Sequence, residues 1–253
     1  QNKKITLEDI WLKGTFRTKG VPGFNVMKDG KHYIKIKDKQ LNIYNLANNQ
    51  FKFTLLNLKD IQYDNKALEF GNFEFSKDEQ RILILEEAHP IYRRSILYQT
   101  YIYDLKTKAL STLDKEKVLH ASFSPDGNKV AFVKDNNIYI KDLTTNTTQQ
   151  ITFDGEKNKI INGNCDWVYE EEFGFSKAFE WSPNGAYIAY YKFDESKVKE
   201  YTMQFYNGDD YPQNYVYKYP KAGEDNSIVS IHIFKLQNNK TQTVDIGSNS
   251  DQY

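Results

Sequence analysis

The sequence contains little sulfur, little proline and no net charge. Its 253 residues include one cysteine, two methionines and six prolines, and 34 basic side chains balance 34 acidic ones. The single cysteine, Cys165, excludes an internal disulfide and any zinc site built from several cysteines. Because the net charge is zero, no uniform field attracts nucleic acid or an anionic membrane. We therefore expect no nucleic-acid partner and expect other partners to be recognised at a local site.

Long apolar runs are also missing. None approaches the roughly 18 residues that a membrane-spanning helix needs, so we predict no membrane span. The chain begins with Gln1 rather than methionine and has no visible signal peptide, so we expect that its start has been removed. What the sequence has instead is aromatic side chains, at 15% of residues. Together with frequent β-branched residues, this composition favours strands over helices and a folded core over disorder.

Internal repeats organise the chain. Four segments share an aromatic residue, a short polar turn and an alternating apolar strand, at a spacing close to that of propeller blades. The four segments are residues 24–30, 73–79, 122–127 and 179–185. In two of them a proline presets the first central position of the turn, and Gly127 and Gly185 supply the unusual dihedral angles that follow.

Each turn leads into strands that alternate between apolar and polar residues. A second strand and a return strand follow, and three to four strands form one propeller blade. We therefore predict an all-β fold, a partial β-propeller of about four blades of antiparallel strands. The predicted segments are blades near 20–65, 66–115, 116–155 and 176–253, with an acidic insert at 156–175. The chain ends at Tyr253 without a recognisable closing strand, so we expect it to be part of a larger ring with open sheet edges.

Two stretches depart from the repeat. Residues 6–12 have the pattern of a short capped helix. The acidic insert contains the run Asp-Trp-Val-Tyr-Glu-Glu-Glu at residues 166–172, in which Asp166 can cap a second short helix. Carboxylates brought together beside aromatic rings would bind an ammonium group. The alternative interpretation is a solvated acidic turn.

Other candidates for chemistry are weak. Residues 174–178 imitate the nucleophile elbow of hydrolases, but the fifth position is not glycine and a strand is expected to follow, so we do not assign Ser176 as a nucleophile. The four histidines, His32, His89, His120 and His232, have no metal-ligand spacing and are expected to be surface or strand residues. No glycine-rich phosphate loop is present. We therefore predict no catalytic residue, no metal site and no cofactor within this chain.

The acidic run resembles the double-glutamate motif of dipeptidyl peptidase IV, a serine peptidase family of the prolyl-oligopeptidase type. Residues 173–181 are similar to the bacterial branch of that family, and residues 219–223 and 92–95 also fit its pattern. The resemblance implies an N-terminal propeller followed by a C-terminal α/β-hydrolase domain, which holds the catalytic triad and is absent from this chain. It further implies release of dipeptides after a penultimate proline or alanine.

The resemblance also implies roles for three residues. Glu171 and Glu172 would bind the free amino terminus of a peptide substrate, and Arg93 would contact the carbonyl of its second residue. It implies a parent enzyme that is periplasmic or secreted and forms a homodimer. Three alternatives stay open: a tripeptidyl peptidase, a non-catalytic propeller that acts as an interaction module, and a carbohydrate-binding propeller that stacks sugars on its tyrosines.

Overall fold

Short antiparallel strands make up nearly all of the regular structure. The computed structural model describes residues 4–18, 20, 24–69 and 71–247. The chain divides into two compact units, residues 1–61 and residues 62–253. The predicted absence of a closing strand at residues 251–253 lies outside the described residues. Among the residues that are described, no helix is long and apolar enough to cross a membrane.

The first unit contains a helix and one four-stranded antiparallel sheet. Helix α1 (Leu7–Trp11) begins after Thr6, whose side-chain oxygen accepts a hydrogen bond from the Asp9 backbone N–H at 3.1 Å. The predicted capped helix is therefore confirmed. The strands, which pair in chain order, are β1 (Asn25–Val26), β2 (His32–Lys37), β3 (Gln40–Asn45) and β4 (Phe51–Asn57), followed by a 3-10 helix (Leu58–Asp60). Leu41 and Ile43 on β3 are fully buried in its core.

The second unit begins with a short hairpin and two sheets in which each strand pairs with its neighbours in the chain. The hairpin is β5 (Gln62–Tyr63) with β6 (Lys66–Ala67). The two sheets are β7 (Asn72–Phe75), β8 (Arg81–Pro90), β9 (Ile96–Asp104) and β10 (Leu110–Thr112), then β11 (Leu119–Phe123), β12 (Lys129–Lys134), β13 (Asn137–Asp142) and β14 (Thr147–Gln150). Four antiparallel strands in chain order form the repeating unit of a propeller.

The last sheet has five strands, and the chain between them forms the second helix and a separate hairpin. In chain order, these elements are β15 (Ile160–Asn162), helix α2 (Trp167–Glu171), β16 (Phe179–Trp181), β17 (Tyr187–Asp194), β18 (Glu200–Phe205), β19 (Gln213–Lys218), β20 (Ile228–Lys235) and β21 (Lys240–Thr243). Strands β18 and β19 form the hairpin, and the other five strands form the sheet. Strand β15 pairs with residues 192–194 of β17, and β16 pairs with residues 188–190 of the same strand. One edge of the sheet is therefore shared by two short strands, and α2 lies in the connection between them. Residues 160–162, predicted as part of the acidic insert, are thus a strand of this sheet.

The repeated turn depends on a serine as well as on glycine. In the third repeat, Ser124 Oγ accepts a hydrogen bond from the Lys129 backbone N–H at 2.9 Å. Gly127 and Gly185 both have a φ of +69°, which confirms the prediction from the turn sequence. Glu79 occupies the equivalent position of the second repeat with a φ of +58°, a conformation that costs a non-glycine residue some strain.

Successive sheets of the second unit pack against each other through buried apolar side chains. One cluster joins the sheet of β7–β10 to that of β11–β14, and it contains Leu83, Ile102, Leu113, Val118, Ala121, Phe123, Val130 and Phe132. A second cluster joins the sheet of β11–β14 to the last sheet, and it contains Leu119, Ala131, Val133, Ile138, Ile140, Ile151, Phe179, Ile188, Tyr190 and Phe234. The two faces of the middle sheet are therefore both buried.

Two glycines with similar backbone angles should respond differently to alanine. Gly163 has a φ of +76°, and a Cβ atom there would lie 2.6 Å from Ile138 Cγ1. Gly185 has a φ of +69°, and its Cβ would lie 3.7 Å from the nearest atom, Pro125 Cδ. We expect Gly185→Ala to cost about 1 kcal/mol of backbone strain. Gly163→Ala should cost about 1–3 kcal/mol more through overpacking.

The free energy of unfolding, measured in urea by tryptophan fluorescence, checks this difference. Equal losses for the two variants would contradict the overpacking argument, because only the backbone term is common to both.

Candidate functional site

The acidic insert is closed at its base by backbone hydrogen bonds. Gly163 N–H donates to the Tyr191 carbonyl at 3.1 Å, and Ala178 N–H donates to the Gly163 carbonyl at 3.0 Å. Cys165 N–H donates to the Ser176 carbonyl at 2.9 Å. The two ends of the insert are therefore held together and against β17. A short helix placed on such a base has a defined orientation, although it is too short to be stable alone.

Helix α2 begins at Asp166, as predicted. The Asp166 carboxylate accepts hydrogen bonds from the Tyr169 backbone N–H at 2.9 Å and from Ser227 Oγ at 2.6 Å. Tyr169 is buried, and its ring makes edge contacts with the rings of Phe173 and Phe193. The polar cap and the aromatic contacts hold the helix at two points, so its remaining side chains project in set directions.

Glu170 projects into the protein. It is fully buried, and its carboxylate accepts hydrogen bonds from the backbone N–H groups of Arg94 at 2.5 Å and Ser95 at 2.8 Å. Ser95 Oγ donates a third hydrogen bond to it at 2.5 Å. The Arg94 Nε group also donates to the Glu170 backbone carbonyl at 3.3 Å. Helix α2 is thus bound to the connection between β8 and β9.

The structure brings two of the three predicted binding residues together. Arg93 Nε lies 3.0 Å from Glu171 Oε2, in an ion pair whose carboxylate side chain is 16% exposed and whose arginine side chain is 70% exposed. Glu172 is the C-terminal cap of α2 and is exposed. The glutamate pair therefore lies at the boundary between the protein and solvent, with the arginine at one end.

A second group of acids lies beside α2. Burial raises the pKa of Asp166, and burial together with the charge of Asp166 raises the pKa of Glu195 to about 7. The Lys218 ammonium partly opposes this effect on the pKa of Glu195. Both carboxylates line a cavity of about 400 Å³ that also contacts Tyr92 and Trp167. This cavity therefore contains one acidic group, Glu195, that changes charge near neutral pH.

The four histidines lie on strands, as expected, and Ser176 lies just before one. Burial lowers the pKa of His120 to about 4, so its ring is neutral at pH 7, and His120 Nε2 lies 2.7 Å from Asn164 Oδ1. Strand β16 follows Ser176, as predicted, where a nucleophile elbow would require a helix. In the part of the chain that is described, no group of three or more His, Cys, Asp or Glu side chains could hold a metal ion.

Comparison with known proteins assigns this region. The sequence profile described as the N-terminal region of dipeptidyl peptidase IV matches residues 76–253. The chain belongs to the dipeptidyl peptidase IV family. Human prolyl endopeptidase FAP is 34% identical to it over 235 residues, which cover 91% of this chain and 30% of the human protein. Dipeptidyl peptidase 4 of Felis catus is 32% identical over 242 residues, which cover 93% of this chain and 31% of the cat protein.

A solved structure agrees with this assignment. The crystal structure of Porphyromonas gingivalis dipeptidyl peptidase 4 matches this fold with a TM-score of 0.91 and 37% sequence identity, over 100% of this chain and 36% of that one. The predicted all-β partial propeller, with its short N-terminal helix and acidic helical insert, is therefore confirmed. This dipeptidyl peptidase IV region spans about a third of the length of the relatives it matches.

Some residues of the dipeptidyl peptidase IV region were not singled out from the sequence. Ser95 and Asn164 hold the site by hydrogen bonds, and Glu195 changes its charge behaviour through burial. The sequence distinguishes Glu170 only as part of an acidic run. The sequence gives a partial signal for Glu170 and Ser95, because each lies within one of the motifs that carry the resemblance.

The titration of Glu195 should affect stability in a defined direction. Its ordinary pKa is 4.5 and its folded pKa is about 7, so the folded state holds this proton more tightly than the unfolded state. Stability from this group is therefore greatest below pH 4.5 and is lost as the pH rises towards 7. We expect a loss of about 3 kcal/mol across that range, which Glu195→Gln should remove.

Urea unfolding of both proteins between pH 4 and pH 8 measures the difference. Parallel stability curves for the wild type and Glu195→Gln would contradict the raised pKa.

Proposed function

We propose that this chain is the substrate-recognition part of a dipeptidyl peptidase that releases dipeptides ending in proline or alanine. In this proposal Glu171 and Glu172 bind the free amino terminus of the substrate, and Arg93 contacts the carbonyl of its second residue. A hydrolase domain that follows this chain in the parent protein supplies the catalytic triad. The chain by itself has no peptidase activity.

The ion pair of Arg93 and Glu171 is the observation that carries the proposal. Its 3.0 Å contact puts a carboxylate and a guanidinium side by side at the protein surface. A peptide with a free amino terminus presents a cation followed by carbonyl oxygens, and these groups complement a carboxylate pair followed by an arginine. Charged hydrogen bonds of this kind are stronger than neutral ones and require defined geometry.

This arrangement accounts for cleavage after two residues. An extended peptide rises about 3.3–3.6 Å per residue, so an anchor for the amino terminus determines which bond reaches a fixed nucleophile. When bound, a peptide without a terminal charge would exclude water from the carboxylates of Glu171 and Glu172 without supplying a cation in return, which opposes its binding. Selection therefore arises from rejection of blocked peptides as well as from attraction of free ones.

The test of this function replaces the glutamate pair in the full-length parent. We expect Glu171→Gln with Glu172→Gln to lower kcat/KM for a Gly-Pro reporter on the order of a hundredfold or more, because charged contacts to the substrate are lost. Glu116→Gln is a control for the loss of a surface carboxylate, since Glu116 is exposed and pairs with Lys134 in a contact at 3.8 Å. It should leave kcat/KM unchanged.

Two outcomes would contradict the proposal. Unchanged activity in the folded double variant would assign the glutamates a structural role. A parent without activity on any free-terminus reporter would favour the non-catalytic interaction module instead. A tripeptidyl preference would appear in the length of the released product, and tight saccharide binding that survives the double substitution would favour the carbohydrate-binding interpretation.

We also propose that the parent is a homodimer, and the hairpin of β18 and β19 supports this. Tyr201, Met203 and Phe205 alternate along β18 on one face, and all three are more than a third exposed. Tyr215 lies opposite Met203 and extends this apolar face. Exposed apolar faces of this kind are commonly buried between subunits.

Met203→Asp with Phe205→Asp should convert the parent from dimer to monomer, because two charges would then have to be buried in the contact. Light scattering coupled to size-exclusion chromatography measures the mass. A dimer that survives both substitutions would place the subunit contact elsewhere.

The periplasmic or secreted location stays a prediction, which fractionation of the source cell would check.

A further inference from the structure

The three consecutive glutamates of the acidic motif have three different environments. Glu170 is fully buried, Glu171 is partly exposed and pairs with Arg93, and Glu172 is exposed. The proposed function uses the last two. A fully buried carboxylate is costly unless hydrogen bonds satisfy it, so Glu170 requires an explanation of its own.

The partners of Glu170 lie on a single short turn. Strand β8 ends at Pro90 and strand β9 begins at Ile96, so the turn comprises residues 91–95. Within it, Ile91 N–H donates to the Ser95 carbonyl at 2.8 Å. The Glu170 carboxylate accepts from Arg94 N–H at 2.5 Å and from both the backbone and the hydroxyl of Ser95. These donors follow Arg93 directly in the chain.

Glu170 and Glu171 therefore contact adjacent parts of the same turn. Glu170 binds the backbone at residues 94 and 95, and Glu171 pairs with the side chain of Arg93. The Arg93 side chain is 70% exposed, and a long exposed arginine loses considerable rotamer freedom when it is fixed. A backbone held on one side restricts where its guanidinium can lie. The buried carboxylate supplies that restraint through charge-assisted hydrogen bonds.

We propose that Glu170 is a positioning residue that sets the location of Arg93 relative to Glu171. It does not contact the substrate and acts only through the turn at residues 91–95. This inference rests on the proposed function, because it assigns Glu170 a role in the recognition that Arg93 and the other two glutamates perform. Its loss displaces Arg93 while leaving the two binding carboxylates present.

The test uses the full-length parent with Glu170→Ala and Glu170→Gln. Alanine leaves two backbone N–H groups and a hydroxyl without their acceptor, and we expect kcat/KM for a Gly-Pro reporter to fall about tenfold or more. Glutamine keeps one oxygen that can accept both backbone N–H groups, so it should stay within about threefold of wild type. Recovery by the conservative variant would show that the acceptor oxygen and shape of the side chain at residue 170 are sufficient and that its charge is not required.

A double-mutant cycle with Arg93→Ala gives the decisive measurement. If Glu170 acts through Arg93, then Glu170→Ala should cost less than about threefold in the Arg93→Ala background. A merely structural residue would give the same loss in both backgrounds. Full additivity, or wild-type kcat/KM in a folded Glu170→Ala protein, would overturn the inference. Should Glu170→Ala fail to fold, Glu170→Asp answers the same question, because its carboxylate is one methylene short of the turn.

Failure of this inference and failure of the proposed function give different results. If Glu171→Gln with Glu172→Gln leaves activity unchanged, the proposed function fails regardless of Glu170. If that pair abolishes activity while Glu170→Ala does not lower it, only the positioning role is refuted. Thermal unfolding of every variant identifies those whose loss of activity follows from loss of structure.

Discussion

The division of one sheet edge between two strands is the constraint on which the candidate site depends. Because β15 and β16 both pair with β17, the 16 residues between Asn162 and Phe179 are held at both ends to one strand. Helix α2, with five residues, could not keep its orientation in water without such a base. A strand at a sheet edge normally presents unpaired backbone groups. Here β15 and β16 pair with those groups of β17, and the chain between them forms α2.

Buried acids lie on this helix and beside it, and they are stabilised in two different ways. Asp166 accepts from a backbone N–H and a hydroxyl, and Glu170 accepts from two backbone N–H groups and a hydroxyl. Glu195 instead retains its proton up to about pH 7. The cost of placing negative charge in a region of low dielectric constant is thus offset by hydrogen bonds in two cases and avoided by protonation in the third.

Local rules predicted much of this structure. Gly127 and Gly185 follow from turn chemistry, Asp166 from helix capping, and the sheets from alternating apolar residues. The sequence pattern does not predict strand β15, because three residues are too few to show alternation and its partner β17 lies about 30 residues further along the chain. The sequence also does not predict that Glu170 is buried and Glu171 is partly exposed, since the residue type is the same and only the tertiary surroundings differ.

Consecutive residues of the same type occupy different environments in a helix, because the helix turns about 100° with each residue. The three glutamates of α2 therefore point in three directions, towards the interior, the boundary and the solvent. Their order along the chain is a rotational order about the helix axis. One residue inserted between Asp166 and Glu170 would keep the three consecutive glutamates but would rotate each carboxylate by about 100° about the helix axis. The motif is thus defined by phase as much as by residue type, and its spacing from the capping aspartate is part of its chemistry.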